Sequence, residues 1–408
     1  MHRAIFLLVA VLSILFFSAP IYAQESDSTV IHQDSGHSKC YQILFDEPAT
    51  DTITVSENDS LRSKRPTFFY YPWLAASSDL GLFIGAGITY VFYDSLGKPQ
   101  LIESFRGGYA TGPGKYDIRI DTKIPVSFYS IYSMAVSATS LEVLNFFGYG
   151  NESSFDKNRY TADGYRMYQR QFSITPKYSY NIIENTSIWG SAALRYVLTD
   201  GDPITDTTIF QKRYTYGIGK MTTWRFAAGV AFDSRDNLRA ASEGIYASFG
   251  SYWTPEIANN NFAYTKFQAD IRGYLSSDIL TPFTVALRMR VEKIFGEHPF
   301  YEACLLGGAN DLRGYYQDRF AGEESLLGSA ELRLYLTSFN VFIPETFGIL
   351  LFADVGRVYI DNDFSNVWHS SIGGGLWIAP VSKDHAISLT LAHSPEATLF
   401  YLSSGFTF

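Results

Sequence analysis

The sequence predicts an all-β chain, a 16-stranded antiparallel transmembrane β-barrel, and three observations lead there. Segments of alternating polar and apolar residues recur along it, and the links between them alternate between long and short. Aromatic residues make up 16% of the chain against 18% for all charged residues, with Tyr 29, Phe 32 and Gly 32. That composition suits many-stranded barrels whose aromatics ring two membrane interfaces.

The alternation is cleanest from Ser325 to Leu336. Ser325, Leu327, Ser329, Glu331, Arg333 and Tyr335 share one side of an extended chain; Leu326, Gly328, Ala330, Leu332, Leu334 and Leu336 share the other. The same pattern sets Phe283, Val285, Leu287, Met289 and Val291 against Thr284, Ala286, Arg288, Arg290 and Glu292. It also sets Phe267, Ala269, Ile271 and Gly273 against Lys266, Gln268, Asp270 and Arg272. In a soluble sandwich the apolar side is core; in a membrane barrel it faces lipid and the polar side faces a wet lumen.

The chain opens with a short basic start, His2 and Arg3, then an apolar run from Ala4 to Phe17 and a cleavage-like Ile21-Tyr22-Ala23. The run is too short for a spanning helix, so residues 1–23 read as a secretory signal, and no later stretch approaches a transmembrane helix. Residues 24–66 are polar and rich in Ser and Asp, which predicts a flexible periplasmic tail. Its apolar cluster is Tyr41 to Phe45. Cys40 and Cys304 lie far apart and are expected as unpaired thiols.

Residues 67–408 form the barrel in this reading. Strands are expected over approximately Thr67–Ala76, Leu80–Tyr93, Gln100–Thr111, Lys115–Ile124, Phe128–Leu141, Tyr165–Tyr180, Thr186–Leu198 and Thr223–Asp233. The second half continues with Gly244–Trp253, Phe262–Tyr274, Phe283–Phe295, Ser325–Leu336, Gly348–Ile360, His369–Ile378, Ala386–Ala392 and Leu399–Phe408. Counted from the periplasm, every second link is longer: Glu142–Gly164, Thr199–Thr222, Thr254–Asn261 and Gly296–Glu324. Links such as Ser95–Pro99, Asn181–Asn185 and Ser276–Pro282 are tight. Long loops on one side and short turns on the other mark an outer-membrane barrel, because a soluble sandwich has no reason to sort its loops by parity. The closing strand, with Leu402, Phe406 and Phe408 on one side, is similar to the terminal signal by which bacterial outer-membrane proteins are recognised for assembly.

Four motifs carry a family resemblance. The loop after Phe300 holds Gly307-Gly308 and then Leu312-Arg313-Gly314-Tyr315; the next strands hold Glu331 and Phe352-Ala353-Asp354-Val355-Gly356. Upstream stand Asp233-Ser234-Arg235-Asp236-Asn237, followed by Gly244, and the hairpin Ser77-Ser78-Asp79-Leu80-Gly81. Together these resemble the BamA/TamA outer-membrane assembly factors, the bacterial surface antigen barrels, over about residues 67–408. The first motif is similar to the tip of that family's sixth surface loop, and Asp233, Arg235, Asp236 and Asn237 to its periplasmic turn. The resemblance implies a loop folded into the lumen with Arg313 pinned between Glu331 and Asp354. A guanidinium offers five donors in a fixed fork that can serve two carboxylates, while Gly314 and Gly356 allow close approach. The family carries periplasmic POTRA repeats of roughly seventy-five residues, and the roughly forty residues after Ala23 cannot build such a domain with its own core. Substrate capture by POTRA is therefore expected to be absent.

The first and last strands should meet in a weak seam, because Pro72 lacks a ladder donor and Gly405 packs nothing. Enzymatic chemistry is not expected. The seven histidines show no metal-ligand spacing, no G-x-S-x-G occurs, and His369 and Ser370 point to opposite faces of a strand. No cofactor is expected, and a net charge of −9 argues against nucleic acid. The expected surroundings are outer-membrane lipid around a monomeric barrel, with a separately encoded periplasmic or client protein as partner. Three functions stay open at this point: assembly, insertion or translocation of other polypeptides; a passive pore; a structural or surface-exposed antigen. The resemblance favours the first.

Overall fold

The computed structural model describes residues 66–78, 81–94, 98–111, 115–161, 165–200, 217–257, 260–279, 281–340, 344–361, 365–380 and 386–408. The expected signal, the tail, Cys40 and most of the Thr199–Thr222 link lie outside these residues, as do Asp79 and Leu80 of the first hairpin motif. Strands fall where the alternation places them: β1 (Thr67–Ser77), β2 (Gly81–Tyr93), β3 (Pro99–Ala110), β4 (Lys115–Ser127), β5 (Ser130–Asn145), β6 (Arg166–Ile183), β7 (Thr186–Asp200), β8 (Gly219–Asp233) and β9 (Gly244–Thr254). Next come β10 (Tyr264–Ser277), β11 (Phe283–Gly296), β12 (Cys304–Leu306), β13 (Phe320–Gly322), β14 (Glu324–Asn340), β15 (Pro344–Tyr359), β16 (His369–Pro380), β17 (Ile387–His393) and β18 (Thr398–Ser404).

Sixteen of these close into one antiparallel barrel in which sequence neighbours pair, and β11 pairs directly with β14. The remaining two, β12 and β13, form a small sheet of their own inside the long β11–β14 link, hereafter loop 6. Closure pairs each strand with two neighbours, as a lipid environment demands, although β1 and β18 meet over a short ladder only.

The two faces separate by chemistry. Ile271, Leu287, Met289, Leu351 and Leu389 are exposed on the outer wall, whereas Asp270, Thr284, Glu331, Arg333 and Asp354 are buried inside. Leu332 sits midway along β14, opposite Val285 on β11 and Leu351 on β15, in the apolar outer band. Leu332→Arg should therefore destabilise the folded barrel by about 2–4 kcal/mol, the cost of a lipid-facing cation near the midplane, and Leu334→Arg by less. Cysteine labelling in intact membranes checks the orientation. A membrane-impermeant reagent should modify Arg119→Cys, where the native side chain is 24% exposed on the lumen side of β4, and spare Leu332→Cys; equal labelling of the two would overturn the assignment of faces.

The structure corrects the end of the chain. The closing strand stops at Ser404 rather than running to Phe408. At Gly405 the backbone takes φ +89°, a conformation that side chains with a Cβ avoid, and Phe406, Thr407 and Phe408 leave the wall for the interior. Phe408 packs there with Ala241, Tyr274 and Ala286, and Phe406 meets Trp377 edge-on. Neither phenylalanine continues the outward side shared by Phe400 and Leu402, so the single-sided terminal pattern read from the sequence does not describe this segment.

The seam is thin for the same reason. Its ladder has two residue pairs, Ala76 with Leu402 and Ser77 with Tyr401, extended by the Ser78 amide donating to the Phe400 carbonyl at 3.1 Å. By contrast, β16–β17 and β17–β18 each hold seven pairs. Pro72 pairs with Ala86 of β2 and lies in the part of β1, Thr67–Ala75, that the two-pair ladder does not reach. Cys304 is buried and, among the described residues, in no disulfide.

Candidate functional site

Loop 6 folds into the lumen because its own sequence is built for an interior. Leu306, Leu312, Tyr315 and Phe320 pack as one apolar cluster with Leu327 of β14 and Val358 of β15. Gly314 turns the chain at φ +84°, which carries Arg313 toward the wall. A Cβ there would come within 3.3 Å of Ser371 Cβ and of the Ser394 backbone nitrogen. The Gly314 amide donates to the Tyr401 hydroxyl at 3.0 Å, and the Tyr315 hydroxyl donates to the Ser370 carbonyl at 3.4 Å. Gly356 lies on β15, two residues along the same face from Asp354, against Leu306.

Arg313 is 1% exposed. Its Nε and Nη2 donate to the two oxygens of Asp354, each at 2.7 Å, in a fork-to-fork pair. Its Nη1 donates to Glu331 Oε1 at 2.6 Å and to the Thr407 hydroxyl at 3.0 Å. The guanidinium carbon lies 3.5 Å from the centre of the Phe352 ring, so an aromatic face covers the side not taken by oxygens.

Arg333, fully buried two residues beyond Glu331 on the same face, extends the set. It donates to Glu331 Oε2 at 2.8 Å through Nη2, to the Ala241 carbonyl at 3.1 Å and to the Phe408 main-chain oxygen at 2.5 Å. Two arginines and two carboxylates thus form a neutral quartet that shares Glu331. The quartet touches loop 6, the inturned segment after Gly405 and the β8–β9 turn that carries Ala241. Sequence reasoning placed Arg333 in the lumen and gave it no partner; its two-residue spacing from Glu331 was the available signal.

The β8–β9 turn is itself rigidly built. Asp233 accepts from Arg235 Nε at 2.8 Å and Nη2 at 2.7 Å, and the Arg235 guanidinium lies 4.6 Å from the Tyr246 ring centre. Asp236 accepts from the Ser242 and Glu243 amides at 2.8 and 3.0 Å, and Asn237 from the Arg239 and Ala240 amides at 2.8 and 2.9 Å. These bonds hold Ala241 where Arg333 reaches it.

Toward the surface, Arg319 of loop 6 grips Glu396 of the β17–β18 link at 2.7–2.8 Å and Ser153 of the β5–β6 link at 2.7 Å. Asn151 donates to the Ser365 hydroxyl at 2.9 Å and the Val367 carbonyl at 2.8 Å, both in the β15–β16 link. Loop 6 is therefore tied to the wall below and to its neighbouring loops above.

A closed barrel with a buried arginine at the tip of an inward loop defines an outer-membrane barrel of the BamA type. Residues 118–408 match the Omp85 superfamily domain, and the chain belongs to that family. It resides in the bacterial outer membrane. Among solved structures it is similar to BamA from Haemophilus ducreyi lacking POTRA domains 1–3, at 14% identity and a TM-score of 0.59, over 84% of this chain and 71% of that one. It is also similar to CdiB from Escherichia coli, at 12% identity and a TM-score of 0.52, over 82% of this chain and 62% of that one. For CdiB from Acinetobacter baumannii the values are 13% and 0.50, over 83% and 60%. The chain thus spans less than two thirds of either CdiB. No curated protein matches it in sequence.

Proposed function

We propose that this barrel handles other polypeptides at the outer membrane, assisting their assembly, insertion or translocation, and that the role is mechanical rather than catalytic. The observation that carries the reading is the seam. Because the chain turns inward at Gly405, the ladder holds β1 to β18 at one end only, and the stretch Thr67–Ala75 has no counterpart in that ladder. A strand edge without its ladder is a template for pairing with another chain. A seam of two pairs is also the cheapest line along which the wall can part, since every other junction would break several times as many bonds. The partner in this reading is a separately encoded periplasmic or client protein, surrounded with the barrel by outer-membrane lipid. The quartet around Glu331 serves to hold loop 6 and the inturned segment in register with each other.

Cysteines at Ala76 and Leu402 test it. Directly opposed residues place their Cβ atoms about 4.5–5.5 Å apart, close to disulfide reach. In cells relying on the Ala76→Cys/Leu402→Cys protein, oxidised growth should deplete client polypeptides from the outer-membrane or secreted fraction, and reductant should restore them. Unchanged fractions from fully cross-linked barrels would exclude opening at this seam from the mechanism.

A further inference from the structure

Loop 6 holds the wall at a second place, with the charges reversed. Glu302, in the 3-10 turn Phe300–Glu302, accepts from Arg195 of β7 at 2.5 Å and from Arg225 of β8. Burial alone would raise this carboxyl, yet Arg195 and Arg225 hold it well below the usual carboxylate range. Further along the loop, Asp311 pairs with Arg290 of β11. Backbone oxygens of the loop take the neighbouring cations. Ala303 accepts from Lys266 at 3.3 Å, Asn310 from Arg288 at 2.9 Å and Leu305 from Arg290 at 3.5 Å.

The wall beneath is strongly cationic. Arg195, Arg225, Lys266, Arg272, Arg288 and Arg290 face inward from β7 to β11, and all but Arg272 take an oxygen of loop 6. The wall's own carboxylates in this stretch are Asp270 and Glu292, since Asp233 at the foot of β8 is taken by Arg235. Six cations against two carboxylates leave four positive charges on the wall, and Glu302 and Asp311 offset half of them. The loop is a staple with two poles: its cation Arg313 meets the acidic β14–β15 wall, and its anions meet the basic β7–β11 wall.

We infer that Glu302 and Asp311 are built-in counter-ions masking a cationic stripe, and that this stripe receives an acidic segment of a polypeptide when loop 6 moves off it. The chemistry is that of arginine forks aimed into a lumen, which bind carboxylates in pairs. The inference rests on the polypeptide-handling reading for its occupant, while the masking itself stands on the charges alone.

Full-length protein purified from outer membranes and placed in planar bilayers separates the two. With the Arg313 lock intact, Glu302→Gln/Asp311→Asn should raise the frequency of open events several-fold over wild type, with a reversal potential in a salt gradient that favours anions. Poly-glutamate should block these events and poly-lysine should not. Adding Arg195→Gln and Arg225→Gln restores the wild-type net charge of the stretch, so it should return the anion preference to the wild-type level and weaken the poly-glutamate block. Heat-modifiable migration on gels checks that each variant is folded. Should the double variant misfold, Arg195→Gln/Arg225→Gln alone should still lower the anion preference of whatever openings the wild-type protein shows. Folded variants with wild-type gating, or openings blocked equally by both polymers, would overturn the masking. Anion-selective openings that poly-glutamate leaves unblocked would keep the stripe and remove its polypeptide occupant, whatever the seam cross-link shows.

Discussion

Arg313→Ala is expected to give a barrel that still inserts but melts far earlier, with loop 6 open to protease. Removing the guanidinium leaves Glu331 and Asp354 facing a cavity, with Arg333 as the remaining cation of the quartet. Breaking a buried ion pair by deleting one partner costs about 3–5 kcal/mol, less where water fills the gap. The lost contact with Phe352 and the lost bond to Thr407 add to the same side. Arg313→Lys should rescue only partly, since an ammonium cannot donate in parallel to both Asp354 oxygens while reaching Glu331. The measurement is heat-modifiable migration on a gel, with limited proteolysis of the folded form mapping cuts within residues 297–323. An Arg313→Ala barrel as heat-resistant and as protease-resistant as wild type would leave the lock no structural role.

Much of this architecture was legible because period-two alternation is a local property. Each of β10, β11 and β14 shows its inner and outer face within a dozen residues, and parity of the links then fixes which end faces the surface. Arg313, Glu331 and Asp354 were legible for another reason, a motif resemblance, since nothing in the alternation says which loop residue enters the lumen. The inturned end was not legible. Ser403, Gly405 and Thr407 alternate with Leu402, Phe406 and Phe408 as a continuing strand would, so the pattern carries on past the point where the wall stops. What overrides it is tertiary: the positive φ at Gly405 and the pull of Arg333 and Arg313 on Phe408 and Thr407. The weak seam was expected from Pro72 and Gly405 together, Gly405 because it packs nothing; the inward turn that Gly405 makes was not legible. Glu302 was equally hidden. It sits in an irregular stretch, and its partners Arg195 and Arg225 precede it by 107 and 77 residues, distances no local pattern spans.

Arg333→Ala should produce a loss as large as that of Arg313→Ala, and the two losses should not add. Arg333 is 0% exposed and donates to a carboxylate and to two main-chain oxygens, Ala241 on the β8–β9 turn and Phe408 on the inturned segment. Its removal strips three buried acceptors of a charged donor, each worth about 1.5–3 kcal/mol in such bonds before relaxation and water entry reduce the total. The ring of Phe406, whose centre lies 4.1 Å from the guanidinium carbon, loses its cation as well. Both arginines act on Glu331, so the first removal already weakens what the second would break. A double-mutant cycle should show a coupling of about 0.5–3 kcal/mol, the range found for residues within one buried network. The readout that separates Arg333 from a merely stabilising residue is at the seam. Once the segment after Gly405 is unpinned, a spin label at Phe408→Cys should gain mobility, and the Ala76→Cys/Leu402→Cys bond should form at a changed rate. Arg313→Ala should disturb the same label through Thr407, while Leu334→Arg, equally in β14 but on the lipid face, should leave it still. Additive losses, together with a Phe408 label unmoved in Arg333→Ala, would mean that loop 6 and the end of the wall are held separately.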